Sequence, residues 1–204
     1  MCKKLVIGVG TGRCGTVSLQ KLLNAQEDSY VEHESRPLLP WIVDDGLLQM
    51  RIAGFDARPE SGLVGEVGFF WLPYLTTLLR ETIGTKVIAL IRDKEETVDS
   101  YMHKTQGRNH WMRHDGSYWK LDPVWDDCYP KYPKIITPSK QAAIEIYYDE
   151  YYDKVLHLIG RHPGHIQLYG MDKLNTKEGQ DEIFSFLGIK GKYLLPCRYN
   201  QGVR

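Results

Sequence analysis

The chain has 204 residues, 42% hydrophobic and 25% charged, which is enough apolar content to bury a core and a length suited to one domain, 1–204. Lys plus Arg and Asp plus Glu both number 26, so no overall field draws the chain to nucleic acid or a membrane surface, and any anion site must be local. No apolar run approaches membrane-span length, nothing signal-like precedes the first strand, and the dispersed Cys2, Cys14, Cys128 and Cys197 lack C-x-x-C spacing and read as free thiols of a cytoplasmic protein.

In chain order, residues 5–9 form a buried-type strand, a glycine-dense turn comes next, and an amphipathic helix runs over 17–24. Residues 29–34 are a second strand with a polar C-terminal end, and Pro37 and Pro40 interrupt regular structure after it. A helix is expected over 41–52, a strand over 63–67 and a helix over 71–83. Residues 86–91 are the clearest strand, apolar and β-branched, ending in Arg92-Asp93 with a helix through Tyr101. This rhythm predicts an α/β three-layer sandwich with a central parallel sheet. In such sheets ligands sit beyond the C-terminal strand ends, so the loop 10–18, the segment 32–36, Glu66 and Arg92 can share one cleft. Residues 103–138 interleave Trp111, Tyr118, Trp119, Trp125, Tyr129 and Tyr132 with basic side chains and have little apolar periodicity. They read as an insertion covering a substrate, with Trp111 and Trp119 as contacts. A helix over 139–159, with Ile144, Tyr147, Tyr148, Tyr151, Val155 and Leu158 on its apolar side, a strand over 166–169 and a helix over 179–187 complete the chain.

The turn Gly10-Thr11-Gly12-Arg13-Cys14-Gly15-Thr16-Val17-Ser18 concentrates glycines and donors between a strand and a helix, the usual construction of a phosphate site. A Walker A loop fails here, because Thr16 stands where Lys belongs and Val17 where Ser or Thr belongs. The dinucleotide fingerprint G-x-G-x-x-G is met literally, with Glu32 and Glu34 about 20 residues on, where a ribose carboxylate is expected; an NAD(P)-dependent oxidoreductase is therefore one reading. Arg13-Cys14-Gly15-Thr16-Val17 also resembles the 5′-phosphosulfate loop of sulfotransferases, with Cys14 and Val17 in place of small hydroxyl residues. Cys14 reads as a small filler that leaves room for phosphate.

A second motif separates the two readings. Arg92 ends an apolar strand and Ser100 comes eight residues later in the next helix, similar to the sulfotransferase 3′-phosphate motif. Arg offers a bidentate fork to a phosphate and a helical Ser adds a neutral donor. The run His165–Leu174 followed by Phe186-Leu187-Gly188 resembles the family's C-terminal "Tyr-Glu-Asp-Leu, helix, Phe-Leu-Gly" region, with Gly170-Met171 departing from Tyr-Glu. Arg198-Tyr199-Asn200-Gln201-Gly202 stands where the family places a basic loop over the 3′-phosphate.

The resemblance implies a P-loop-like sulfotransferase fold. It also implies transfer of a sulfuryl group from 3′-phosphoadenosine 5′-phosphosulfate (PAPS) to a hydroxyl or amine acceptor, such as a glycan or peptide, without a metal. Gly12, Arg13, Cys14, Gly15, Thr16, Val17 and Ser18 would hold the 5′ end, and Arg92, Ser100 and Arg198 the 3′-phosphate. Arg13 would meet charge on the leaving oxygen. Glu32-His33-Glu34-Ser35-Arg36 resembles the "Glu-Glu-Thr-Arg" segment of the tyrosine branch, which puts the base at Glu34, with His33 and then Glu66 as alternatives, and substrate contacts at Arg36 and Glu66. A non-catalytic nucleotide-binding homologue is the remaining reading.

Overall fold

Five short strands form one sheet: β1 (Lys4–Val9), β2 (Tyr30–His33), β3 (Leu63–Val67), β4 (Lys86–Ile91) and β5 (Ile166–Gly170). The computed structural model describes residues 3–106, 108–111 and 129–197. All neighbouring strands are parallel, in the order β2-β3-β1-β4-β5. Among the described residues six α-helices connect or flank them: α1 (Thr16–Asn24), α2 (Asp45–Asp56), α3 (Leu75–Glu81), α4 (Lys94–Thr105), α5 (Lys140–Arg161) and α6 (Lys177–Leu187).

Side-chain alternation along the strands builds two cores. Val6, Val31, Val67, Ile88 and Leu90 face α1 and α6 through Leu19, Leu22, Leu23, Ile183, Phe184 and Leu187. Ile7, Val9, Val64, Val87 and Ala89 face the opposite way, onto Leu48 and Phe55 of α2, the residues around α3, and Ala143 to Leu158 of α5. This is the expected three-layer arrangement. At the β2 edge, the outward N–H of Val31 donates to the Asn24 side chain at 2.9 Å and its carbonyl accepts from Gln20 at 2.7 Å, so α1 closes part of the sheet's exposed rim.

Two predicted helices begin elsewhere. The 41–52 helix is α2, starting at Asp45, because the Asp44 side chain accepts from Leu47 N–H at 3.0 Å and sets the N-terminus there. The 71–83 helix opens as a 3-10 turn, Phe69–Tyr74, that contains Pro73, and becomes α-helical only at Leu75. Proline supplies no N–H to the ladder.

The sheet order positions the site. From β1 the chain crosses to the left through α1 on one face, and from β4 it crosses to the right through α4 and α5 on the other. The crevice therefore opens at the C-terminal ends of β1 and β4. A dinucleotide-binding sheet places β2 beside β1; here β3 lies between them, and Glu32 and Glu34 belong to the outer strand and its end. No described helix is long and apolar enough to cross a membrane.

Candidate active site

The glycine-dense turn closes around its own sulfur. Gly12, Arg13 and Gly15 all have positive φ, at 88°, 60° and 93°. At Gly12 a side chain is excluded twice, by that conformation and because a Cβ would collide with the Tyr101 hydroxyl. Cys14 is fully buried inside the turn. Burial pushes its thiol up to about 11 against the pull of the Gly12 N–H and the Tyr152 and Thr11 hydroxyls, so it is a filler and not a nucleophile. Helices α2, α4, α5 and α6 have their first turns capped by Asp44, Asp93, Ser139 and Thr176. The first turn of α1 begins at Gly15 with no side-chain cap. The N–H groups that a helix cannot satisfy internally are left there beside the turn, in a form suited to an anion. Thr16 and Ser18 are buried at this end, and Val17 is half-buried.

The two sequence motifs meet at Arg13. Its Nε donates to the Ser100 hydroxyl at 2.9 Å, and its carbonyl accepts from an Arg92 guanidinium nitrogen at 3.1 Å. Arg92 also pairs with Glu96 one helical turn on, at 2.8 Å, with both side chains partly in solvent. Glu96 is exposed enough to release Arg92 to a stronger anionic partner at little cost.

Glu34, His33 and Glu66 are brought to the same rim but differ in environment. β2 ends at His33, and Glu34 takes a left-handed conformation, φ 47°, while its N–H still donates to the Val67 carbonyl at 3.0 Å. The strand alternation that would have separated the two side chains is thereby broken, and His33 Nε2 lies 4.0 Å from a Glu34 oxygen. Burial pushes the Glu34 carboxyl up to about 7; the Glu66 charge adds to this and the Arg13 charge opposes it. His33 is tied to the Thr16 hydroxyl at 3.1 Å, and burial pushes its imidazole down to about 4. Glu66 is fully buried and occupied: it accepts from Ser35 N–H at 2.7 Å, Arg51 at 3.2 Å and the Trp71 indole at 3.2 Å. Burial pushes its carboxyl up to about 7, as far as that of Glu34, against the pull of Arg51 and Ser35; what sets Glu66 apart is that three donors already engage its oxygens.

Other expected contacts are placed less uniformly. Arg36 is exposed at the rim. Trp111 is a core residue and presents no open face: it is 0% exposed and packs edge-on to Tyr101 at 4.9 Å and against Tyr132 and Tyr147. Trp119, most of the proposed cover and Arg198 lie outside the described residues; Cys197, just before Arg198, is buried with its sulfur on the Ser18 carbonyl at 3.2 Å. Met171 and Leu174, from the run resembling the family's C-terminal region, pack behind Gly15.

Sequence reasoning misses Arg51 and the hydroxyls of Tyr101, Tyr147, Tyr151 and Tyr152. Arg51 joins Glu66 to the Ser35 and Pro37 carbonyls and so shapes the turn that carries Glu34. The α5 tyrosines do carry a signal: four on its buried face, Tyr147, Tyr148, Tyr151 and Tyr152, need four hydrogen-bond partners, which leucines would not. Among the described residues no group of three or more His, Cys, Asp or Glu is arranged to hold a metal.

No protein-family model matches the sequence, and no curated protein matches it. Solved structures do. A sulfotransferase from Alicyclobacillus acidocaldarius superposes with TM-score 0.59 at 16% identity, over 99% of this chain and 87% of that one. A mouse sulfotransferase complexed with PAP gives TM-score 0.52 at 16% identity, over 93% and 60%. The sulfotransferase domain from the curacin biosynthetic pathway gives 0.54 at 13%, over 94% and 76%. The chain has the sulfotransferase fold.

Proposed function

We propose that this chain, built on the sulfotransferase fold, binds PAPS at the C-terminal ends of β1 and β4 and transfers its sulfuryl group to a hydroxyl or amine acceptor. The observation that carries the reading is the junction at Arg13: residues 79 and 87 positions apart in sequence, Arg13 with Arg92 and Arg13 with Ser100, are joined in one hydrogen-bonded unit. A 3′,5′-bisphosphorylated nucleoside needs two anion sites linked in this way. The solved neighbour with PAP bound supports the same ligand class.

In this reading the amides of residues 14–16 and the Thr16 hydroxyl hold the 5′ end, while Arg92 and Ser100 hold the 3′-phosphate. Sulfuryl transfer puts growing negative charge on the oxygen that leaves with the nucleotide. Arg13 is the nearby cation, and its guanidinium can exchange Ser100 for that oxygen. Glu34 takes the acceptor proton. It is a half-buried carboxyl with its proton affinity raised toward neutrality, and it feels the Arg13 charge. His33 is spoken for by Thr16 and too weakly basic, and Glu66 has both oxygens engaged by donors.

The nicotinamide reading loses its support with the strand order, since the acidic residues belong to a strand that is not β1's neighbour. Titration of the chain with 3′-phosphoadenosine 5′-phosphate (PAP) and with NAD discriminates the two. Saturable binding of PAP and none of NAD is expected. Transfer of labelled sulfate to a panel of sugar, peptide and phenol acceptors tests catalysis; PAP binding with no transfer to any acceptor would favour a non-catalytic nucleotide binder.

A further inference from the structure

The loop 10–15 is held from beneath by phenol hydroxyls. Tyr101 of α4 and Tyr147 of α5 both donate to the Thr11 carbonyl, Tyr147 at 3.0 Å. The Tyr151 hydroxyl accepts from Gly10 N–H at 3.0 Å and donates to the Phe69 carbonyl at 3.0 Å. The Tyr152 hydroxyl donates to the Leu90 carbonyl at 2.8 Å, and that of Tyr148 to the Arg92 carbonyl at 2.6 Å. One helix face, with Tyr101 beside it, therefore addresses main-chain atoms just past β1, just past β3 and at the end of β4. Those are the segments that carry Arg13, Glu66 and Arg92.

This arrangement is more than a buried polar network, for two reasons. The loop contains three residues with positive φ, one of them the non-glycine Arg13, and such a conformation persists only when its surroundings over-determine it. The Thr11 carbonyl is also the one whose direction matters. Two donors occupy its two lone pairs and point it into the protein, and a trans peptide then turns the Gly12 N–H the opposite way, toward Cys14 at the centre of the turn. A carbonyl turned outward would instead face the bound anion. Burial holds the phenols of Tyr101, Tyr147 and Tyr151 well above their ordinary value, so they stay protonated donors.

We propose that Tyr101 and Tyr147 are positioning residues of the donor site, whose hydroxyls hold the Thr11 carbonyl away from the anion and fix the loop in its binding shape before ligand arrives. The proposal deepens the PAPS reading and rests on it for the identity of the ligand, though not for the ordering of the loop. Backbone order parameters of the ligand-free chain and PAP titrations test it in the parent, in Tyr147→Phe, in the Tyr101→Phe/Tyr147→Phe pair, and in Tyr193→Phe, a solvent-exposed control outside the site. In the parent, residues 12–16 should be as rigid as the sheet, with order parameters near about 0.85. In the pair they should fall below about 0.6 while β1 and β4 keep the parent's values. PAP affinity should fall at least tenfold in the pair and less in the single variant, with the control unchanged. Parent-like order at 12–16 in the folded pair overturns the proposal whatever the affinity does. If the pair does not fold, Tyr147→Phe decides by the same criterion. A parent that binds no PAP, with loop order still lost in the pair, overturns the PAPS reading and leaves the positioning role standing.

Discussion

Replacing Glu34 by glutamine should improve stability and remove activity together. The substitution keeps the shape of the side chain and takes away only the ionisable proton. In the folded chain the Glu34 carboxyl is raised from its ordinary 4.5 to about 7, chiefly by burial. Its contribution to stability is therefore fully present below about pH 4.5. It declines as pH rises, because the unfolded chain gives up its proton first, and the loss is complete once pH has passed about 7. A displacement of that size corresponds to about 3 kcal/mol at pH 8. The neutral amide escapes this loss, so Glu34→Gln should match the parent near pH 4.5 and exceed it by up to about 3 kcal/mol at pH 8, read from denaturant unfolding at several pH values. Donor affinity should change little, whereas turnover should fall by about 10²–10⁴, the usual worth of a general base. The parent's own turnover should drop tenfold for each pH unit below about 7. A stability difference that stays flat from pH 5 to 8, or normal turnover by the variant, refutes the reasoning. If His33→Ala is dead while Glu34→Gln is active, the base is His33.

The site geometry sets three further outcomes. Arg92→Ala should weaken PAP binding by about 1.5–3 kcal/mol in isothermal titration, the worth of a charge-assisted contact, with a near-parental melting temperature because its partner Glu96 is largely solvated. Arg13→Ala should lower turnover about a hundredfold or more while costing less donor affinity than Arg92→Ala, since the charge it meets is largest in the transition state; a loss of donor affinity with turnover unchanged would place Arg13 in ground-state binding instead. Cys14, fully buried with its thiol pushed up to about 11, should resist a maleimide at pH 8 in the folded chain and label only in denaturant, as read by peptide mass mapping.

Much of the framework is legible in the sequence because the physics that makes it is local. The β-branched run 86–91 and the apolar run 63–67 place two strands to the residue, since burial on both faces leaves no other use for such sequences. The Arg92 and Ser100 spacing is readable because a helix start at Lys94 fixes it. Contact across long sequence separations is not readable in this way. Trp111 resembles a ligand contact because it stands in an aromatic, basic stretch, but it packs on Tyr101 of α4 and Tyr147 of α5, partners that no local pattern assigns to it. The α5 tyrosines have the spacing of an apolar face; their rings do fill the core, but their hydroxyls serve loops whose main-chain polar atoms no periodicity reveals. Arg51 gives no signal, since an arginine on a surface-type helix is ordinary until Glu66 is found beneath it.

The resemblance ranks Glu34, His33 and Glu66 in that order as the base, and one conformational event in the fold gives them different surroundings. Had β2 continued regularly past His33, Glu34 would have pointed to the face opposite His33 and away from the rim they share. The left-handed turn at Glu34 ends the strand, and the Glu66 and Arg51 pair beneath holds the adjoining Ser35 to Pro37 segment in place. Glu66 thus does two things to Glu34. It fixes the backbone that aims it, through the Ser35 N–H, and its charge raises the carboxyl's proton affinity. Arg13 opposes the second effect only as long as its own charge is not claimed elsewhere. A nucleotide that draws on Arg13 would remove part of that opposition and make Glu34 a stronger base just as the sulfuryl group arrives. In the proposed reaction the donor site and the base are therefore coupled through a single guanidinium, and the buried Glu66, with both oxygens engaged by donors, sets the range over which that coupling operates.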